Sequence, residues 1–141
     1  MELGATHGLR ADKASYVEHA AATGCVAGFD YIIDTTGITD IVNQAVLALA
    51  PRGEIALVGA YAPGVPLTVD PTLVMSTGRV IRGVVEGSAD PQTFIPQLIA
   101  YYREGLFPFD RLVEYFDFTD IEKAIAAGET GRVIKPILRL P

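Results

Sequence analysis

Metal, acid–base and nucleophilic chemistry each need particular side chains at particular spacings, and this 141-residue chain carries few of them. Its soft metal ligands are His7, His19 and Cys25, which have no ligand-like pairing, so no zinc site is expected from them. The surrounding sequence places His19 on a helix, His7 at the end of a strand and Cys25 as a small apolar packing residue. Two carboxylate pairs, Asp30 with Asp34 and Asp110 with Asp117, invite an acid–base reading. Residues i and i+4 of a strand share a face, but that spacing does not separate their pKa values, and all four read as solvated strand ends. There is no Gly-x-Ser-x-Gly elbow, no Gly-Lys-Ser/Thr phosphate loop and no Gly-x-Gly-x-x-Gly dinucleotide turn. The ends of parallel strands are a further place where ligands bind.

The elements that position those ends centre on residues 29–59. Phe29-Asp30-Tyr31-Ile32-Ile33-Asp34 is an apolar run stopped by Thr35-Thr36-Gly37, as expected of a strand buried on both faces. Thr39 or Asp40 can cap a helix whose Ile41, Val42, Ala45, Val46 and Leu49 recur on one face. Ala50-Pro51-Arg52-Gly53 is expected to end that helix, and Glu54-Ile55-Ala56-Leu57-Val58 to form a second, parallel strand before Gly59. Upstream, Ala5 to Leu9 reads as a brief strand and Ala14 to Thr23 as a helix stopped by Gly24. Downstream, Asp70-Pro71 opens a single turn through Met75, and Arg79 to Val85 is a strand. Asp90 and Pro91 are a good cap and first position for a helix reaching Glu104, with Phe94, Leu98 and Tyr101 or Tyr102 inward. Pro96 should bend it or displace its start by a turn. Leu112 to Phe116 reads as a strand, Thr119 or Asp120 caps Ile121 to Ala127, and Val133 to Leu138 is the last strand.

Composition narrows the function classes. Half of the residues are hydrophobic and the net charge is −6, with 11 basic residues scattered and outnumbered by 17 acids, which argues against nucleic-acid binding. A single cysteine allows neither an internal disulfide nor a four-Cys zinc site. The amino terminus has no signal-like run, and no stretch approaches the ~18 apolar residues of a spanning helix. A soluble, cytoplasmic protein is expected.

The order Gly-Phe-Asp-Tyr-Ile-Ile-Asp-Thr-Thr-Gly (28–37), Ala-Pro-Arg-Gly-Glu-Ile-Ala-Leu-Val-Gly (50–59) and Gly-Arg-Val-Ile-Arg-Gly (78–83) resembles the later part of medium-chain, zinc-dependent alcohol dehydrogenases. The ending Gly-Arg-Val-Ile-Lys-Pro-Ile-Leu (131–138) is similar to their aryl-alcohol, or benzyl alcohol, branch. The resemblance implies an α/β fold: a partial Rossmann-like parallel sheet, the second half of a doubly wound dinucleotide fold, followed by a carboxy-terminal strand-helix-strand section. Residues 1–85 would be a partial cofactor-binding domain without the glycine-rich first half, and 86–141 a section that in the family returns to the catalytic domain. The two absent strands normally lie between those that Ala5–Leu9 and Tyr31–Asp34 would form, so a gap is expected in the sheet, with the first ~25 residues displaced or swapped.

The implied activity is oxidation of aryl or allylic alcohols to aldehydes by hydride transfer to NAD or NADP, with zinc as the family's metal. These residues alone are expected to be inactive and to bind NAD weakly or not at all. By resemblance, Thr35, Thr36 and Gly37 contact the adenine side, Val58, Gly59 and Ala60 the nicotinamide amide, Val84 and Val85 the nicotinamide, and Lys135 the pyrophosphate. The blander reading leaves Gly37 and Gly59 as tight-turn residues, Thr35 and Thr36 as local hydrogen-bonding groups and Lys135 as solvated. In the family the strand matching Arg79 to Val85 pairs with its mate in a second subunit, so a homodimer is implied. Rival readings are a non-enzymatic remnant or dimerisation module, and a zinc-free quinone reductase relative.

Overall fold

The computed structural model describes residues 3–10 and 13–141, which divide into two compact units, Met1–Ala89 and Asp90–Pro141. In the first unit, helix α1 (Tyr16–Ala22) is followed by strand β1 (Phe29–Asp34), helix α2 (Thr39–Leu47), strand β2 (Leu49–Leu57), helix α3 (Pro71–Thr77) and strand β3 (Val80–Gly83). The strands form one parallel sheet in the order β1-β2-β3. Tyr31 to Asp34 pair with Glu54 to Leu57, and Glu54 to Leu57 pair in turn with Val80 to Gly83. The parallel pairing of the two central runs is as expected.

The core is built where α2 lies on the sheet. Val42, Ala45 and Val46 of the helix close on Leu49 and Ile55 of β2, with Ile32, Leu57 and Ile81 packed around them. Burying a Val, Leu or Ile side chain is worth about 1.5–3 kcal/mol, so these few residues hold the unit together. The opposite face is open. Tyr31 and Ile33 are 80% and 69% exposed, which corrects the expectation that β1 is buried on both faces. Because side chains alternate along a strand, helix packing on one side covers only Ile32 and Asp34.

Local boundaries differ from the expected ones for identifiable reasons. Helix α2 ends at Leu47 with Ala48 as its C-cap, and Leu49 belongs to β2, although it is fully buried as the helical periodicity suggested. Pro51 does not end a helix; it lies in a bulged extension of β2, where the register jumps from Phe29–Leu49 to Tyr31–Glu54 and Arg52 takes φ 67°. A proline cannot donate to the ladder, so pairing is interrupted where it stands. The N-cap of α2 is Ile38 rather than Thr39 or Asp40, because Thr36 Oγ1 already accepts from Ile38 N at 3.2 Å and turns the chain into the helix early.

Helix α1 starts at a capping box: Glu18 N donates to Ser15 Oγ at 3.2 Å, and Ser15 N donates to Glu18 Oε2 at 2.9 Å. Ala5 to Leu9 is irregular and forms no strand, and α3 runs two turns where one was expected. Asp70 caps α3 by accepting from Thr72 N at 2.8 Å.

The second unit contains helix α4 (Pro91–Arg103), strand β4 (Val113–Asp117), helix α5 (Ile121–Glu129) and strand β5 (Lys135–Arg139). Strands β4 and β5 pair in parallel, and α5 crosses between them, burying Ala124 and Ala127 beside Val133. Asp90 caps α4 through Gln92 N at 3.1 Å and Thr93 Oγ1 at 2.7 Å, as its Asp-Pro sequence indicated. The helix starts at Pro91 with Pro96 inside it, so its start is not displaced. The expected inward face is not buried: Leu98 is half-buried, while Phe94, Tyr101 and Tyr102 are exposed. The Asp120 side chain makes no cap bond to the backbone of α5, and instead accepts from the Lys123 side chain of the same helix, Nζ at 2.8 Å.

Candidate functional site

Ligands of open parallel sheets bind beyond the carboxyl ends of the strands, so the junction where β1 and β2 end is the place to look. Asp34, the last residue of β1, is only 4% exposed. This corrects the reading of Asp34 as a solvated strand end, while Asp30, Asp110 and Asp117 are indeed exposed. A buried carboxylate must be satisfied by donors, and four are present. Thr36 Oγ1 and Thr36 N reach Oδ1 at 2.6 and 3.2 Å, Gly37 N reaches Oδ2 at 3.2 Å, and the Tyr61 hydroxyl donates to the same Oδ2.

Burial by itself would raise the Asp34 pKa, but the bonds from the Thr36 hydroxyl, Tyr61 and the Thr36 and Gly37 amides together outweigh it and hold the carboxyl below its ordinary value. Tyr61 moves the other way: its burial, its bond to Asp34 and the Asp34 charge push its pKa up to about 12. The phenol therefore stays protonated and keeps donating.

The backbone is drawn just as close. The main-chain oxygen of Asp34 accepts from Val58 N at 2.9 Å and Gly59 N at 3.0 Å, tying the end of β2 to the end of β1. A Cβ on Gly59 would lie 2.3 Å from Gly37 N, and one on Gly37 would lie 2.1 Å from Ala60 O. Gly37 also takes φ +67°, a conformation that favours glycine. Both glycines are thus required by contact between two loops.

Of the residues singled out from the sequence, Thr35, Thr36, Gly37, Val58, Gly59 and Ala60 come together at this junction. Thr35, Val58 and Ala60 are exposed. Val84 follows β3 and its N–H donates to Leu57 O at 3.0 Å, so it flanks β2, while Val85 is 81% exposed beyond it. Lys135 opens β5 in the other unit and is exposed. Asp34 and Tyr61 were missed, although an Asp followed by Thr-Thr-Gly is an Asx-turn signal.

A cavity of about 190 Å³ runs along the outer edge of β1, lined by Tyr16, Ile33, Asp34, Thr35, Thr36 and Ile41 among others. Its apolar walls with a hydroxyl rim suit a flat, partly polar group such as a nucleoside base. The chain's residues fit part of a dinucleotide in this way, but offer no glycine-rich phosphate cradle. Zinc is not fitted. His7 lies in the irregular amino-terminal segment, correcting its expected strand end, with Nδ1 3.0 Å from Thr6 Oγ1. His19 is on α1 and Cys25 is a half-buried free thiol. Among the described residues no group of three or more His, Cys, Asp or Glu is placed to hold a metal ion. Nor is any of their helices long and apolar enough to cross a membrane.

Residues 1–101 match a family described as zinc-binding dehydrogenase. The chain is 38% identical over 140 residues to a geraniol dehydrogenase of Castellaniella defragrans, covering 98% of this chain and 37% of that enzyme. A solved alcohol dehydrogenase zinc-binding domain protein of Burkholderia ambifaria superposes with a TM-score of 0.93 at 41% identity, over 99% of this chain and 38% of that one. The benzyl alcohol dehydrogenase of Acinetobacter calcoaceticus also gives 0.93, at 36% identity and the same coverage. The chain thus spans under two fifths of the length of these relatives, and its three-stranded parallel sheet is a partial Rossmann-like sheet.

Proposed function

Because the chain belongs to the zinc-binding dehydrogenase family, we propose that it supplies one wall of the dinucleotide site of an NAD(P)-linked alcohol dehydrogenase, which as a whole oxidises an aryl or allylic alcohol to its aldehyde. The observation that carries this reading is the junction at the carboxyl ends of β1 and β2. There Gly37 and Gly59 meet backbone to backbone and leave Thr35 exposed at the rim of an apolar cavity. When bound, the dinucleotide supplies the hydride acceptor. The chain's own part is to seat it: Thr35 to Gly37 against the adenosine half, and Val58 to Ala60 and Val84 with Val85 towards the nicotinamide. The aryl or allylic preference rests on the likeness to a benzyl alcohol and a geraniol dehydrogenase. No step is assigned to zinc, since these residues do not fit it.

By themselves these residues are inactive and bind NAD weakly. The test is amide mapping by NMR as NAD is added, run beside an assay with benzyl alcohol. Shifts gathered at 35–37, 58–60 and 84–85, without turnover, are expected. Turnover, or shifts that avoid those residues, would overturn the reading.

The bare strand edges favour a second role, that of an assembly module. Strands β1 and β3 each have one unpaired edge among the described residues, and Tyr31, Ile33 and Val85 stand exposed beside them. The edge at Arg79 to Val85 is our choice for a homodimer seam. A mass measurement decides it: a monomer at all concentrations removes this role.

A further inference from the structure

Tyr61 has no part in the cofactor site as just drawn, yet it reaches across from the loop after β2 to the end of β1. An ionised carboxylate offers about four acceptor positions, and in Asp34 all are used by Thr36 Oγ1, Thr36 N, Gly37 N and Tyr61. Asp34 therefore has nothing left to give a ligand. Thr36 has no donor left, since its hydroxyl donates to Asp34 and also accepts from Ile38 N, and its amide donates to Asp34. The Gly37 amide is spent on Oδ2. Thr35 alone in this turn presents a side-chain hydroxyl that makes no hydrogen bond among the described residues, and it lines the cavity beside β1.

We propose that Tyr61 is a positioning residue which, through the Asp34 carboxylate, fixes the Thr35–Gly37 turn so that the Thr35 hydroxyl, and not that of Thr36, is the turn's polar contact to the adenosine half of the dinucleotide. This assignment rests on the dinucleotide reading above. Removing the phenolic proton leaves a buried oxygen of Asp34 short of a donor, and a carboxylate that rotates to recover one carries the Thr36 and Gly37 amides with it. The loop itself stays in place without that proton. Thr68 N donates to Asn43 Oδ1 at 3.0 Å, and the Tyr61 ring, Leu67 and Val69 pack on the core. Tyr61→Phe keeps the ring, so its effect is confined to the turn.

The full chain is compared with Tyr61→Phe, Thr35→Ala and the double variant. In Tyr61→Phe without ligand, amide hydrogen exchange at Thr36 and Gly37 rises about 10-fold, whereas Val58 and Gly59, which donate to the main-chain oxygen of Asp34, keep their rates. With NAD as the probe, Thr35→Ala weakens binding about 5-fold, and Tyr61→Phe weakens it too. The double variant is no weaker than Thr35→Ala, because Tyr61 acts through the hydroxyl that is already gone. A purely structural Tyr61 predicts independent, multiplying losses, and that result overturns the proposal. So does unchanged exchange at Thr36 and Gly37. Failure of the wild-type chain to bind NAD refutes the dinucleotide reading and the Thr35 contact with it, while exchange still decides whether Tyr61 holds the turn.

Discussion

Asp34→Asn replaces one carboxylate oxygen with an amide nitrogen at the centre of the junction, and its cost can be worked from the bonds. The amide oxygen takes the place of Oδ1 and keeps both Thr36 donors, but as a neutral acceptor it loses about half of each bond's strength. The amide nitrogen takes the place of Oδ2, where the Tyr61 hydroxyl rotates to accept from it. The Gly37 N–H has no such freedom and is left facing a donor, which costs about 1–3 kcal/mol. The flipped amide fares no better, since it sets the Thr36 N–H, which cannot rotate, against a donor instead. The sum is about 2–4 kcal/mol of unfolding free energy near neutral pH.

The pH dependence carries a sign. The folded carboxyl titrates below its ordinary value of 3.8, so its contribution is complete above that value and is lost as pH falls through the lower, folded one. Urea unfolding of both chains at about pH 7 and about pH 3 should therefore show a full gap at the first and a narrower one at the second. The Tyr61 titration gives a second reading: without the Asp34 charge, its pKa drops from about 12 toward the usual 10. Equal stability of the two chains near neutrality, or a gap that widens in acid, would refute the reasoning.

Gly59→Ala should destabilise by about 3 kcal/mol or more, since its Cβ meets backbone 2.3 Å away that no rotamer can avoid. Gly64→Ala, in open space at φ +79°, should cost only about 1 kcal/mol, and melting temperatures of the two separate steric contact from backbone strain. Asp90→Ala removes the side-chain cap of α4 and should lower stability by about 1 kcal/mol in denaturant titrations. Arg82→Ala should change it by less than about 1 kcal/mol, because the Arg82–Glu54 pair is largely exposed and water screens it.

The regular parts of this fold announce themselves locally. The apolar run 29–34 and the run 54–58 are paired as their sequences suggest, and the Asp-Pro start of α4 sits where its chemistry places it. Leu49 shows where local reading fails: an apolar residue at the right helical spacing is equally at home as the first residue of a buried strand, and only the pairing with Phe29 decides. Asp34 is the sharper case. Its burial depends on Tyr61, 27 residues further on, in a Gly/Pro loop whose path cannot be read from composition. The turn residues were found, but Thr35 and Thr36 looked alike because their difference lies in which hydroxyl Asp34 has already taken.

The bulge at Ala50–Gly53 gives this sheet slack in chain length. Four residues of β2 stand opposite the single Asp30 of β1, with Pro51 and Arg52 out in solvent, whereas every residue from Glu54 onward is matched one to one until Asp34 clasps Val58 and Gly59. A residue gained or lost at the exposed Pro51 and Arg52 alters only the size of the bulge. The same change within 54–58 shifts Ile55 from the core face to the open one and pulls Gly59 away from Gly37. Length drift during descent should therefore collect in the bulge and spare the strand beyond it.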